Sequence, residues 1–341
     1  MNPQADNPLL DIRGLSKTYL GRHNLADRLS GRQQTRVQAV SDVSFDIRAG
    51  EVLGLIGESG CGKSTLGRSI LRLHEPTTGT VTFDGVDVTG LDDAAMKAMR
   101  RRMQIIFQDP YASLNPRRTV AEIVGLPLKL HGLAPTPAEM RDKVAAIVEK
   151  VGLKTAHLDR YPHQFSGGQR QRIGIARALV SNPEFIVCDE PVSALDVSIQ
   201  AQIIELLTDL KQEMGLTYLF ISHDISVIGY LSDRVAVMYL GEIVEMGPVE
   251  SILARPRHPY TQSLMSAVPE VETSARKARV RLTGDLPSPL SPPAGCKFHT
   301  RCPLAIDICR KTAPRTEPVG NGHQAACHRL AENLSLLDPV Q

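Results

Sequence analysis

No apolar run in this sequence approaches the ~18 consecutive residues that a membrane-spanning helix needs. The first residues, MNPQADNPLLDIRG, also lack the basic stretch and following apolar core of a secretory signal. Neither sign of charge is in excess, because 39 Lys and Arg face 37 Asp and Glu, so nothing points to nucleic acid as the main partner. We therefore expect a chain that stays in the cytosol unless a partner holds it at a membrane.

The 341 residues, 42% of them hydrophobic, are enough to bury a sizeable core in one large domain plus a small one, or in two ordinary domains. Short apolar stretches at 51–57, 184–190 and 216–224 predict buried strands, and helix-like segments lie between them. This alternation predicts an α/β fold with a parallel sheet covered on both faces. Strand-like stretches on either side of Gly241 predict a hairpin over 234–247.

Other segments have a different composition. The apolar residues of EMRDKVAAIVEKVGL recur at helical spacing, which predicts a helical subdomain inserted into the α/β core. The polar, basic segment 20–36 predicts a long loop, and KAMRRRM at 97–103 predicts a solvated helix face rather than a functional basic patch. After residue 255 proline and glycine become frequent, which is typical of a linker-like tail, and this tail ends in four cysteines.

The stretch GESGCGKST follows an apolar strand and precedes a helix-like segment, the context that a phosphate-binding loop requires. Its glycines let the backbone point successive N–H groups at phosphate oxygens, and the helix N-terminus adds positive potential. Lys63 is placed to reach the β- and γ-phosphates, and the Ser64 hydroxyl to ligate Mg²⁺. The predicted nucleotide-binding residues of this loop are Gly57, Glu58, Ser59, Gly60, Cys61, Gly62, Lys63, Ser64 and Thr65.

Two cysteines stand outside the C-terminal group. Cys188 lies in an apolar strand and is expected in the core. Cys61 occupies a variable position of the phosphate loop, where a small filler is the simplest interpretation. Because a helix N-terminus lowers the pKa of a thiol, the alternative hypothesis is that oxidation of Cys61 blocks ATP entry.

A buried strand that ends in acids supplies the second half of a nucleotide site. Asp189 follows the apolar FIVC and is expected to hold Mg²⁺ directly or through water. Glu190, one residue further on, is placed to polarise the attacking water. A surface acid pair is a poor explanation for two carboxylates directly after four apolar strand residues.

The stretch FSGGQRQRIGIARAL at 165–179 resembles the signature motif of ATP-binding-cassette (ABC) ATPases, with Phe165 where leucine is more usual. SALD at 193–196 resembles the D-loop of this family. Three single residues also match the family: Gln108 resembles the Q-loop glutamine, His223 the switch histidine, and Tyr19 the aromatic residue that stacks on adenine. These motifs stand in the family's order over about residues 8 to 250, which implies a P-loop ABC ATPase core with a helical subdomain and a small C-terminal, Cys-containing extension.

The resemblance implies roles for the remaining site residues. Glu190 acts as general base or water-orienting group, His223 contacts the γ-phosphate, and Gln108 senses Mg²⁺ and water. Mg²⁺ ligation is implied for Ser64, Gln108 and Asp189. The signature residues Ser166, Gly167, Gly168 and Gln169 donate to the γ-phosphate held by a second cassette. One chain carries one cassette, so the resemblance implies that a dimer completes each site.

A narrower resemblance covers nearly the whole chain. PRHPYTQSLMSAVP at 256–269 and GDLPSPLSPPAGCKFHTRCP at 284–303 resemble the C-terminal extension of dipeptide and oligopeptide importer ATPases, most closely the F-type subunit. We therefore expect a nucleotide-binding domain over 8–254, with its helical subdomain at about 110–180, and an extension over 255–341. The implied partners are a paralogous ATPase subunit, two permease subunits and an extracytoplasmic peptide-binding protein, with this chain peripheral at the cytoplasmic face of the inner membrane.

The C-terminal cysteines Cys296, Cys302, Cys309 and Cys327 are not spaced as the C-x2-C pairs of common zinc ribbons. Four thiolates hold either tetrahedral zinc or a [4Fe–4S] cluster, and free structural thiols are a third interpretation. The resemblance to peptide-importer ATPases favours the [4Fe–4S] cluster. His299, His323 and His328 are close enough in sequence to take part in ligation.

Two other functions stay open from sequence alone. An importer of the same layout is able to carry nickel or glutathione, because the binding protein and the permeases choose the cargo. An ABC ATPase that acts on nucleic acid or ribosomes is the alternative from another class. Such proteins usually carry two cassettes or a long coiled coil, and this sequence has neither.

Overall fold

The computed structural model describes residues 7–21, 34–266, 286–332 and 336. These residues form two units, each built from several stretches of chain. The first unit holds the described parts of Met1–Leu10, Asp46–Val52 and Thr82–Ser222. The second unit holds those of Asp11–Phe45, Leu53–Val81 and His223–Gln341.

The described strands are β1 (Leu10–Leu20), β2 (Arg36–Ile47), β3 (Val52–Ile56), β4 (Thr78–Phe83), β5 (Val86–Asp87), β6 (Met103–Ile106), β7 (Phe185–Asp189), β8 (Thr217–Ile221), β9 (Arg234–Tyr239), β10 (Glu242–Pro248), β11 (Glu317–Gly320) and β12 (His323–Ala325). The described helices are α1 (Lys63–Ile70), α2 (Asp93–Arg102), α3 (Val120–His131), α4 (Pro137–Lys150), α5 (Gly167–Leu179), α6 (Val197–Met214), α7 (Ile225–Leu231), α8 (Val249–Ala254), α9 (Pro259–Met265) and α10 (Asp307–Lys311). Across the described ranges, no helix is both long and apolar enough to cross a bilayer.

In the first unit, β7 lies between β6 and β8, and all three strands are parallel. Every residue of β7 and β8 is buried, as expected of parallel strands covered on both faces. The helices α3, α4 and α5 pack on one another, and the helical spacing read from EMRDKVAAIVEKVGL is confirmed by α4. The predicted boundaries of a helical subdomain at about 110–180 stay a prediction.

In the second unit, the strand order is β11-β12-β10-β9-β3. β3 and β9 are parallel, whereas β9 and β10 form the antiparallel hairpin predicted around Gly241. β1 lies between β2 and β4. The segment 22–33, most of the predicted loop 20–36, lies outside the described residues. Together the two units confirm the predicted α/β fold of an ABC-type ATPase core.

The interpretation of the chain after residue 255 as linker-like is wrong for its described parts. Helix α9 begins at Pro259, and its residues Pro259–Ser263 are buried. β12 adds to the edge of β10, with Glu245 opposite Ala325 and Met246 opposite Gln324. The prolines signalled turns and a helix start rather than an unpacked chain, because proline suits the first position of a helix. Residues 267–285 of this segment lie outside the described part.

A buried carboxylate ties this extension to β10. Glu245 is 1% exposed, and its oxygens accept hydrogen bonds from the backbone N–H groups of Arg257 (2.6 Å) and His258 (2.8 Å). The Nε2 of His323 lies 2.7 Å from Oε1 of the same glutamate. Three partners compensate the cost of burying this carboxylate. Because Arg257 and His258 lie before α9 and His323 lies in β12, Glu245 holds two separate parts of the extension to β10.

His258 is also fully packed. Its Nδ1 accepts the backbone N–H of Tyr260 at the start of α9, and its ring lies 5.6 Å from that of Phe298. Burial lowers the pKa of His258 from 6.5 to about 4, although nearby Glu245 acts in the opposite direction. The folded chain therefore holds this histidine neutral.

This burial predicts a pH dependence of stability. The unfolded chain protonates His258 near pH 6.5, whereas the folded chain resists protonation down to about pH 4. The contribution of neutral His258 to the free energy of unfolding is fully present above pH 6.5. It is lost as the pH falls toward 4, at up to about 1.4 kcal/mol per pH unit. The variant His258→Asn keeps a helix-capping acceptor but does not titrate, so denaturant unfolding should show a shallower loss of stability between pH 6.5 and 4.5. Equal slopes in the two proteins would contradict the assignment.

Candidate functional site

The phosphate loop lies in the second unit between β3 and α1. Gly57 and Gly62 have φ angles of 153° and 111°. A Cβ atom on Gly57 would collide with the carbonyl oxygen of Met238, and one on Gly62 with that of Ala39. Only glycine allows the loop backbone to approach its neighbours this closely. Helix α1 begins directly after Gly62, and no side chain among the described residues caps it. The N-terminus of a helix is a favourable place for an anion.

Lys63 folds over the loop. Its Nζ donates to the carbonyl oxygens of Gly57 at 2.7 Å and of Glu58 at 3.2 Å, and the residue is 4% exposed. Ser64 and Thr65 are half-buried, while Ser59 and Gly60 are exposed. The loop therefore presents an ammonium group, two hydroxyl groups and the N–H groups of a helix start in one short segment, a set suited to phosphate.

Cys61 is part of the inner wall of this loop. The residue is 1% exposed, and its carbonyl oxygen accepts a hydrogen bond from the N–H of Gly241 at 2.8 Å. The pKa of its thiol is raised, chiefly by burial, in spite of the nearby Lys63. A buried thiol with a raised pKa is a poor target for oxidants, so the structure favours the interpretation of Cys61 as a small filler. Cys188 is fully buried, as the core interpretation expects.

The acids lie in the first unit, at the end of β7. Asp189 is the last residue of the strand and is fully buried. Glu190 follows with a left-handed backbone (φ 47°), an uncommon conformation for a residue other than glycine. Its N–H donates to Ile221 at 3.1 Å, and Ser193 donates through its N–H and hydroxyl to the Glu190 carbonyl oxygen. The β7–β8 sheet and the turn after it thus fix this strained backbone.

The structure brings Gln108 and Glu190 together. The Gln108 Nε2 donates to the Glu190 Oε2 at 3.0 Å, although 82 residues separate them in sequence. An amide N–H that donates to a carboxylate restricts the orientation of that carboxylate. This pair joins the predicted water-orienting carboxylate to the predicted Q-loop glutamine.

The signature segment caps α5. The Ser166 hydroxyl oxygen accepts the N–H of Gln169 (3.4 Å), and the Gln169 Oε1 accepts the N–H of Ser166 (3.1 Å). This reciprocal capping box starts the helix and leaves Ser166 exposed.

Gly168 of the signature segment faces Ile199, whose side chain leaves no room for a Cβ atom, whereas Gly167 has more space. The unusual Phe165 is buried with its ring 5.4 Å from that of His157.

Two further predicted site residues belong to the second unit. His223 is exposed, directly before Asp224, which caps α7 through the N–H of Ser226. Tyr19 is half-buried in β1, edge-on to His74 at 5.8 Å, with the Lys17 ammonium 5.1 Å from its ring centre. Their predicted roles toward ATP stay predictions.

The four C-terminal cysteines gather in one part of the second unit as free thiols. The N–H of Cys296 donates to the carbonyl oxygen of Cys309 at 2.8 Å. Burial, and then the neighbouring thiols, raise the pKa of Cys296 to about 12 and that of Cys302 to about 11. The described residues contain no group of three or more His, Cys, Asp or Glu side chains arranged to hold a metal ion.

One of these sulfurs, that of Cys327, accepts the backbone N–H of Arg329 at 3.5 Å. The nearby histidines are engaged elsewhere: His299 with the carbonyl oxygen of Cys296, His323 with Glu245, and His328 with the carbonyl oxygen of Thr312.

Sequence reasoning missed two residues of the phosphate-loop region. The Arg301 guanidinium forms a bidentate pair with the Glu58 carboxylate, at 2.8 and 3.1 Å. The Tyr260 hydroxyl oxygen accepts the N–H of Glu58 at 2.8 Å. Both residues lie in the extension, more than 200 positions from the loop. No local spacing or motif signals such a contact.

Comparison with protein-family models gives two matches. Residues 40–193 match the ABC transporter family, and residues 244–309 match the C-terminal region of oligopeptide/dipeptide transporters. The second match covers Tyr260, Arg301 and three of the four clustered cysteines.

Curated relatives align over almost their full length. A putative peptide import ATP-binding protein of Brucella ovis is 53% identical over 325 residues, which cover 95% of this chain and 99% of that protein. The oligopeptide transport ATP-binding protein AppF of Bacillus subtilis is 49% identical over 331 residues, with 96% and 99% covered.

Solved cassettes have the same fold. The ATP-binding cassette MJ0796, in a dimeric post-hydrolysis state bound to ADP and Pi, matches with a TM-score of 0.62 and 31% identity over 70% of this chain and 98% of that one. The structure of cbiO1 from Clostridium perfringens, part of the ABC transporter complex cbiONQ, matches with a TM-score of 0.61 and 26% identity, with 73% and 92% covered. This chain belongs to the ABC transporter family, among the ATP-binding proteins that carry the C-terminal region of oligopeptide/dipeptide transporters.

Proposed function

We propose that this protein is the ATP-binding and ATP-hydrolysing subunit of an ABC importer for dipeptides and oligopeptides, a peptide-transporting translocase. One observation carries the proposal: the chain contains both an ABC cassette, with its phosphate loop and acids, and the C-terminal region of oligopeptide/dipeptide transporters. The relative at 53% identity is named as a putative peptide import protein and the one at 49% as an oligopeptide transport protein, which supports the cargo class.

In this proposal the chain neutralises and positions the phosphates of ATP. Lys63 binds the β- and γ-phosphates together with backbone N–H groups of the phosphate loop other than those of Glu58 and Cys61, which donate within the protein. Ser64, Gln108 and Asp189 would hold Mg²⁺, and their hydroxyl, amide and carboxylate oxygens are the donors that this ion prefers. When bound, Mg²⁺ supplies positive charge beside the phosphates. Tyr19 stacks on the adenine ring.

Glu190 is the proposed general base or water-orienting residue. Its hydrogen bond from Gln108 supports this role, because it holds the carboxylate in one orientation. Gln108 would relay the state of the nucleotide to a permease, and His223 would contact the γ-phosphate. The support for His223 is its exposed position two residues after the end of β8.

The signature residues Ser166 to Gln169 are proposed to act on ATP held by another cassette. Their support is a helix start at which Ser166 is exposed and the side chains of Ser166 and Gln169 form the capping box. A solved cassette of the same fold is dimeric with ADP and Pi. We propose a heterodimer with a paralogous ATPase subunit, docked on two permeases that receive peptides from an extracytoplasmic binding protein. The chain would then be peripheral at the cytoplasmic face of the inner membrane, with its cassette over 8–254 and its extension over 255–341.

A [4Fe–4S] cluster on Cys296, Cys302, Cys309 and Cys327 is part of the same proposal. The hydrogen bond from the Arg329 N–H to the Cys327 sulfur supports it, because such bonds stabilise thiolates that ligate iron. When bound, the cluster supplies a cross-link between chain segments of the extension.

Peptide import is tested with the complex purified from membranes and reconstituted into proteoliposomes. We expect permeases and a paralogous ATPase to co-purify with this chain, and labelled dipeptides or oligopeptides to accumulate only when ATP is supplied. Uptake of nickel or glutathione without peptide uptake would replace the cargo assignment. Co-purification with ribosomes and no permease would reject the importer altogether.

The cluster is tested by metal analysis of protein purified without oxygen. We expect iron and acid-labile sulfide at about four each per chain, and their loss in Cys302→Ser. The matched control, Cys188→Ala, changes a core cysteine of the first unit and should keep both. Zinc alone in the wild-type protein would contradict the proposal.

A further inference from the structure

The extension contacts the phosphate loop at Glu58. Its carboxylate takes both arms of the Arg301 guanidinium, with Nη1 to Oε2 at 2.8 Å and Nη2 to Oε1 at 3.1 Å. The side chain of Arg301 is 8% exposed and that of Glu58 is 28% exposed. A bidentate pair of this kind, largely shielded from water, fixes direction as well as distance.

The backbone of Glu58 is held from the same side. Its N–H donates to the hydroxyl oxygen of Tyr260, which is fully buried. The Tyr260 ring lies 4.7 Å from that of Tyr239 and 5.5 Å from that of Phe298. This aromatic packing leaves the hydroxyl little freedom, so the extension holds both the side chain and the main chain of one loop residue.

Glu58 in turn touches the residue that should bind phosphate. Its carbonyl oxygen accepts from the Lys63 Nζ at 3.2 Å and from the N–H of Cys61 at 3.2 Å. A rotation of the Glu58 peptide would therefore move the acceptor of the Lys63 ammonium and change the curl of the loop. Arg301 and Tyr260 are thus linked through Glu58 to the phosphate-binding group.

We propose that Arg301 and Tyr260 are positioning residues of the nucleotide site, which hold the phosphate loop in its phosphate-binding shape through Glu58. This proposal rests on the proposed ATP-binding function. The extension then has a role in the ATPase itself, beyond any contact with transporter partners. Neither residue touches ATP in this proposal, so their substitution should weaken recognition of the phosphates without altering the adenine contact.

Equilibrium dialysis of the full-length chain with radiolabelled ATP and AMP tests the proposal. Arg301→Gln removes the ion pair, and Tyr260→Phe removes only the acceptor of the Glu58 N–H while the ring packing stays. We expect each to weaken ATP binding about tenfold, which is about 1.4 kcal/mol, and to leave AMP binding close to wild type. Arg301→Lys should restore only part of the affinity, because an ammonium does not form the bidentate pair.

A double-mutant cycle separates positioning from general loss of structure. If Arg301 acts through Glu58, then Glu58→Gln combined with Arg301→Gln should bind ATP no more weakly than either single variant. The matched control is Arg141→Gln, which removes another bidentate arginine–carboxylate pair, with Asp159, in the first unit. It should bind ATP as the wild type does.

Three results overturn the proposal. The first is wild-type ATP affinity in folded Arg301→Gln and Tyr260→Phe, and the second is an equal loss of ATP and AMP binding. The third is a double-mutant cycle in which the losses of ATP-binding free energy caused by Glu58→Gln and Arg301→Gln add in full. If Arg301→Gln fails to fold, Tyr260→Phe decides alone. Failure of the wild-type chain to bind ATP would instead reject the proposed function, and so the two failures are distinct.

Discussion

The close approach of two glycines to neighbouring backbone is the constraint on which the nucleotide site depends. Gly57 lies against the carbonyl oxygen of Met238, and Gly62 against that of Ala39, with no space for a side chain at either place. β9 and β2 therefore shape the loop as much as its own sequence does. With the loop fixed in this way, α1 begins at Lys63, and no side chain in the described part of the chain caps this helix start.

The extension belongs to this arrangement. Buried Glu245 joins β10 to Arg257, His258 and His323, and the rings of Tyr239, Tyr260 and Phe298 pack on one another. Arg301 stands only one residue before Cys302 and pairs with the phosphate loop. This segment is rich in proline and cysteine, and its composition therefore suggested a linker. In the structure it packs within the same unit as the phosphate loop.

Much of the fold is readable from local sequence, because strands, helices and the phosphate loop follow from periodicity and glycine placement. The buried strand before Asp189, the helix over 137–150 and the hairpin around Gly241 all appear where the pattern predicts them. Contacts between distant segments are set by tertiary packing and leave no such pattern. The pairing of Glu58 with Arg301, 243 residues away, is the clearest example.

The candidate site shows the same division. The strand that ends in acids predicted Glu190, and motif resemblance supplied Gln108. The 3.0 Å hydrogen bond between them is a fact of the fold, as is the left-handed backbone of Glu190. Likewise, the spacing of the four cysteines did not predict that the Cys327 sulfur accepts the backbone N–H of Arg329.

The central claim is that Glu190 promotes the hydrolysis of bound ATP. The rate of ATP hydrolysis by Glu190→Gln tests this claim most directly. Replacing the carboxylate by an amide of the same shape should lower kcat about 10²–10⁴-fold, while ATP still binds and the ATP-bound dimer accumulates in sedimentation analysis. Glu184→Gln, which changes the same chemical group just before β7, should turn over ATP as the wild type does. Turnover by Glu190→Gln equal to that of the wild type would contradict the account.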